Sequence, residues 1–294
     1  MNQIIQFNRL PSFPELSDVT GFTAIRERVF TPRGDIIPQH YGIRKDDSET
    51  VLGVVGNKFE IANNGPIFEV LRDAVQATLS PRECKGVSLV ESSSYGGAFT
   101  RFELVFPELK TEIRQRGSET ELNFKISVIN GFAGNSAIRV MAGAYDLICT
   151  NGLFIGEMNK ATARHTTGFT PARFGSFIEG QLAEYRDRGR IYQAWADQSI
   201  GQSQVLDLLE ASKIPERKRE AIAAQFALEA ASRGATVWAL YSALTFYASH
   251  NSERFTIRNS ARVDNAAAAL AQRELEVSKI VDSKAWSTLT ARAA

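Results

Sequence analysis

The chain has 294 residues, 34 of them basic and 33 acidic for a net charge of +1, and it is 44% hydrophobic and 23% charged. That apolar share is enough for a sizeable core and excludes wholesale disorder. The near-zero charge excludes a protein that coats nucleic acid by bulk electrostatics, so any anion-binding surface must be a local patch.

Only Cys84 and Cys149 carry thiols, both in apolar surroundings, which points to buried free cysteines in a reducing compartment. The start, Met1-Asn2-Gln3-Ile4-Ile5-Gln6, lacks the basic residues and long apolar run of a signal peptide. No stretch approaches the roughly 18 apolar residues of a membrane span. The expectation is a cytoplasmic protein of a bacterium or an infected one.

In chain order, Val29–Phe30, Ile36–Ile43 and Val51–Ile61 read as short strands, broken at Pro32-Arg33-Gly34 and Asp46-Asp47-Ser48. Asn63-Asn64-Gly65 then announces a helix that Pro66 opens and that runs to about Leu79. Phe68, Leu71, Val75 and Leu79 form its apolar stripe. From about Lys85 to Asn130 apolar residues alternate with polar ones. Val87–Ser92, Thr100–Phe106 and Glu121–Val128 are strands, joined by a hairpin at Ser94-Tyr95-Gly96-Gly97 and by turns at Pro107-Glu108 and Gly117-Ser118. The expected result is a four-stranded antiparallel meander, packed on one face and wet on the other. Ser136–Ile148 and the stretch around Leu153 and Ile155 are apolar enough to be central.

Beyond Gly168 the period becomes helical. Phe174, Phe177, Ile178, Leu182 and Tyr185 make one stripe after Pro171, and Pro215 opens a second helix. Thr236–Ser249 is apolar nearly all round and so belongs in the middle of the helical part. A last helix runs from about Val263 to Val281. The predicted class is α+β, with a β-rich unit over 1–168 and a helical domain or layer over 169–294.

Chemical signatures are scarce. His40, His165 and His250 fall in no HxxxH or HxH spacing and the cysteines form no CxxC pair, so no metal site is expected. Ser94 precedes a hairpin turn and not a nucleophile elbow. Gly53-Val54-Val55-Gly56-Asn57-Lys58 lacks the spacing and the Lys-Ser/Thr ending of a phosphate loop, and reads as a strand end with a tight turn. Asp46, Asp47, Glu49 and Glu60 suit a two-metal nuclease by residue type only. No catalytic residue and no cofactor is assigned.

What remains is basic residues interleaved with aromatics. Strand alternation aims Arg101, Lys110, Arg114, Arg116 and Lys125 at the wet face of the meander, among Glu103, Glu112 and Glu121. A second group, Lys160, Arg164, His165 and Arg173, bridges a strand and the following helix start. Arg254, Arg258 and Arg262, four apart, share a face if helical. Tyr95 and Phe99, near the hairpin tip, are candidates for stacking on bases.

The segments Val51-Leu52-Gly53-Val54-Val55-Gly56-Asn57-Lys58-Phe59-Glu60-Ile61 and Arg139-Val140 through Leu147-Ile148-Cys149-Thr150-Asn151-Gly152-Leu153, followed by Arg164-His165-Thr166, resemble a phage- and plasmid-associated family named as a domain of unknown function (number 932). The resemblance spans roughly residues 30 to 280. It implies a place on mobile elements near DNA-processing genes and carries no active-site residues over. The layout, an antiparallel meander with a packed helix, is also similar to that of single-strand annealing recombinases, by fold analogy alone. The function expected is binding of single-stranded DNA, as a homo-oligomer that promotes annealing and recombination without catalytic chemistry. The alternatives are a phage or plasmid protein that disarms a host protein, and a metal-dependent nuclease.

Overall fold

The computed structural model describes residues 13–115, 117–146, 152–153, 160–167, 169–250 and 265–291. Three strands, β1 (Ala24–Phe30), β2 (Ile36–Lys45) and β3 (Val51–Gly56), form a small antiparallel sheet in that order. A helix, α1 (Asn64–Thr78), leads to the larger sheet: β4 (Ser88–Ser94), β5 (Phe99–Gln115), β6 (Ser118–Gly131) and β7 (Ile138–Asp146). Two short strands, β8 (Gly152–Leu153) and β9 (Lys160–Ala163), both pair with the free edge of β7. Helices follow: α2 (Gly175–Asp197), α3 (Gln202–Ala211), α4 (Glu216–Arg233), α5 (Val237–His250), α6 (Ala266–Val281) and α7 (Lys284–Thr290). The chain is α+β, as its patterning predicts.

Several expectations hold in detail. The hairpin at Ser94–Gly97 is a tight turn with Tyr95, Gly96 and Gly97 all at positive φ, where glycine costs nothing sterically. The Gly53–Gly56 motif lies in β3, and Gly53 is needed because a side chain there would sit 2.7 Å from the Cα of Ala133. Asn64, which opens α1, is fully buried. Its side-chain amide donates to the Thr20 carbonyl at 2.7 Å and to Thr100 Oγ1 at 3.0 Å, and its own oxygen accepts from Asn130.

The turn expected at Pro107-Glu108 does not form. β5 runs unbroken past it, with a register shift between Phe106 and Lys110. A bulge there leaves Pro107, which has no N–H to give, outside the ladder, so one long strand stands where two were expected.

The large sheet is covered on both faces, which corrects the expectation of a wet face. Phe102, Leu104 and Phe106 of β5, with Phe124, Ile126 and Val128 of β6, pack on α1 and on Ile178, Leu182 and Tyr185 of α2. Further along, Ile113, Leu122 and Ala144 join Tyr192 and Trp195 of α2 and the largely buried α5 in a second cluster. The helices therefore share their core with the sheet. On the opposite face, α6 lays Ala271 over Ile129, Met141 and Phe99. The Ser94 hydroxyl accepts from the Ala267 and Ala268 backbone N–H groups at 3.1 and 3.3 Å, anchoring the start of α6 to the end of β4.

Two glycines inside α2 make opposite predictions. A methyl group at Gly180 would meet open space, whereas one at Gly189 would lie 2.5 Å from Thr111 Oγ1 of β5. Gly180→Ala should raise stability by roughly 0.5–1 kcal/mol through helix propensity. Gly189→Ala should lower it by roughly 1–3 kcal/mol, because overpacking against a stiff β-branched residue outweighs propensity. Urea midpoints of the two variants, and recovery of the second on adding Thr111→Ala, check the pair.

Candidate anion-binding face

In-register antiparallel partners point to the same side of a sheet. Arg101 faces Ile129, Ile129 faces Arg139, and Arg139 faces Thr162; one row away Glu103, Ser127, Met141 and Lys160 align in the same manner. These eight residues, with Lys125 and Asn123, therefore make one polar face across four strands. It is the face that α6 covers.

Coverage is uneven, and that divides the face in two. Under α6, Arg101 is 2% exposed, and its guanidinium meets Glu274 through two bonds, Nη1 to Oε2 at 2.5 Å and Nη2 to Oε1 at 2.8 Å. Glu103 Oε1 accepts from both Arg101 Nη2 and Lys125 Nζ, each at 2.9 Å. Burial alone would raise the Glu103 carboxyl. The two cations beside it win, and hold it at about 2. Arg101 and Lys125 thus belong to a buried ionic network that ties a helix to the sheet. They do not lie on a wet surface, which corrects the expectation that they contact a DNA backbone. The reason is tertiary: α6, some 170 residues further along, brings Glu274 onto Arg101, and Glu103 joins Arg101 to Lys125.

Toward β9 the cover thins. Met141 is buried, Arg139 is half-buried, and Thr162 and Arg164 are exposed. Burial lowers the Arg139 guanidinium's pKa, and among the described residues no carboxylate beside it restores it. Two further atoms of this face, Asn123 Oδ1 and Ser127 Oγ, are buried without a hydrogen-bond partner. Partly desolvated cations and orphaned polar atoms are costly unless something outside the chain satisfies them.

The other predicted residues are dispersed. Lys110 and Arg114 lie on the far end of β5 in exposed ion pairs, Lys110 with Glu121 at 2.7 Å and Arg114 with Glu119 at 3.4 Å. His165 is buried and not at a groove edge: its Nδ1 donates to the Glu60 carbonyl at 3.1 Å and its ring stacks on Phe59. Burial lowers its pKa, only partly offset by that bond. Arg173 is exposed in the turn before α2, packed against α1 on the other side of the sheet. Tyr95 is 47% exposed at the hairpin, but Phe99 is packed beside Ile129 and Met141 under α6 and is not presented for stacking. Arg116, Cys149, Arg254, Arg258 and Arg262 lie outside the described residues.

Arg139 is the residue that patterning missed as a binding candidate. It sits among Ile138, Val140 and Met141 and looks like one polar position in a central strand. Its place opposite Thr162, on the same face as Lys160, becomes visible only once β7 and β9 are paired.

Fold and face together define an α+β protein whose main sheet is covered completely by helices on one side and only in part on the other. A family model described as a domain of unknown function (DUF932) matches residues 51–275, and the chain belongs to that family. No characterised protein and no solved structure was found to match it. Among the described residues no helix is long and apolar enough to cross a membrane, and no three His, Cys, Asp or Glu side chains gather as a metal-ion cluster.

Proposed function

We propose that the chain binds the phosphate backbone of single-stranded DNA along the β7–β9 edge of the large sheet, with Arg139, Lys160 and Arg164 as the contacts. The observation that supports this reading is Arg139, a half-buried guanidinium with no carboxylate beside it among the described residues, on the open side of a polar face. Two oxygens of one phosphate would accept from it bidentately. The exposed Thr162 lies opposite Arg139, and the exposed Arg164 follows directly after β9. A role on phages or plasmids as an oligomer that promotes strand annealing is the extension of this reading, since backbone binding without base readout is what annealing of arbitrary sequences requires.

Fluorescence anisotropy of a labelled single-stranded oligonucleotide over a salt series tests it. Binding should weaken linearly in log–log terms, and Arg139→Ala should reduce that slope by roughly 0.7, one phosphate contact on a single strand. A slope unchanged in Arg139→Ala, or no binding at low salt, overturns the reading. A second reading, docking to a protein, has one observation of its own. Phe30 and Ile36 form a cross-strand pair at the tip of the β1–β2 hairpin and are 54% and 50% exposed. Phe30→Ser should then abolish partner capture without altering the DNA titration.

A further inference from the structure

Away from the sheet, a cleft of about 490 Å3 opens between the α3–α4 turn and α6. That size falls in the roughly 300–1,000 Å3 range of small-ligand sites. Its floor is apolar, made by Ile214 and Ile222 on one side and Val277 and Ile280 on the other. Its rim is cationic, with Lys213, Lys218 and Lys279 all bordering it. Lys218 is already engaged, donating from Nζ to Glu276 Oε2 at 2.7 Å with the Tyr247 hydroxyl alongside. Among the described residues, neither Lys213 nor Lys279 has a carboxylate partner.

Lys213 has a second peculiarity. It occupies the left-handed region at φ 55°, unusual for a residue other than glycine or asparagine, and this conformation sets it at the turn that borders the cleft. An apolar floor beside ammonium groups lacking counter-charges is complementary to one kind of molecule, an apolar body with an anionic head. The apolar part buries against the isoleucines, and the head supplies the missing counter-charge.

We infer that this cleft is a binding site for a small amphipathic carboxylate, its chain seated on Ile214, Ile222 and Ile280 and its head held by Lys213 and Lys279. The site is separate from the β7–β9 edge and does not depend on the DNA reading. Glu276 already neutralises Lys218, so an anionic head falls to Lys213 and Lys279, and a neutral amphiphile leaves the rim unsatisfied.

The test uses the full chain and 8-anilinonaphthalene-1-sulfonate, whose fluorescence rises in apolar surroundings. The dye should bind saturably at one site. Decanoate should displace it, and decanol should require at least about tenfold higher concentration, the discrimination expected of one charge-assisted contact. Lys213→Ala with Lys279→Ala, both solvent-exposed positions, should weaken decanoate about tenfold or more while leaving the melting temperature unchanged. Equal competition by decanol, an unaltered decanoate affinity in the double variant, or an absence of saturable dye binding would each overturn the assignment.

Discussion

Replacing Glu274 by alanine should lower stability by roughly 3–5 kcal/mol, out of a total that for a domain is typically only about 5–15 kcal/mol. The substitution leaves Arg101, 2% exposed, with Glu103 as its carboxylate among the described residues, one that also accepts from Lys125. An unmatched buried cation cannot recover its hydration, and that penalty dominates the loss. The measurement is urea unfolding with the slope compared to the parent, and a loss under about 1 kcal/mol would show that water reaches the network. Lys110→Ala is the control. Its ion pair with Glu121 is as short, at 2.7 Å, but exposed, and its removal should leave the midpoint where it was. The same network sets an acid limit. The folded Glu103 lies below its ordinary 4.5, so its contribution is complete above that value and lost as pH falls toward about 2. Glu103→Gln should therefore flatten the acid end of the stability profile as well as lower it.

Trp238→Ala should cost a comparable amount, roughly 3–5 kcal/mol, by opening a cavity at the centre of the helical layer. Trp238 is fully buried, with its ring centroid 5.4 Å from Tyr192 and 5.7 Å from Tyr241. Neighbouring helices on α2 and α7 close the site through Trp195 and Trp286, so collapse into the void is restricted. Tyr241→Phe gives the opposite sign. The Tyr241 hydroxyl is buried without a hydrogen-bond partner, and burial raises its pKa well above the usual value. Deleting that oxygen removes an unsatisfied group and should be neutral or stabilising by up to about 1 kcal/mol. If Tyr241→Phe were instead strongly destabilising, a buried water must bridge the cluster's polar tips.

Much of the architecture was legible from local chemistry. Alternation placed β5 and β6, the Tyr95-Gly96-Gly97 turn located their hairpin neighbour, and the unbroken apolar surface of Thr236–Ser249 identified a helix with no solvent face. These are local properties, written in period and turn chemistry. Two short helices escaped, α3 and α7, each too brief to declare a period, although Ser283 caps α7 by accepting from the Trp286 backbone. The candidate face was legible only in fragments. Lys160 and Arg164 stood out as basic residues, while Arg139 was hidden in an apolar strand.

Amino-acid patterning determined by itself the α+β class, the run of elements and the side of each strand that is apolar, because a side chain's direction along a strand or helix follows from backbone geometry. The tertiary structure alone decided what lies opposite each face. Arg101 and Lys125 alternate outward as a surface residue would, yet they are interior because α6 returns across the sheet with a carboxylate at the required position. Arg139 alternates identically and stays half-open because that helix stops short of β9. A one-dimensional pattern encodes direction and not company, and whether a charge is a buried strut or a binding group depends on the company.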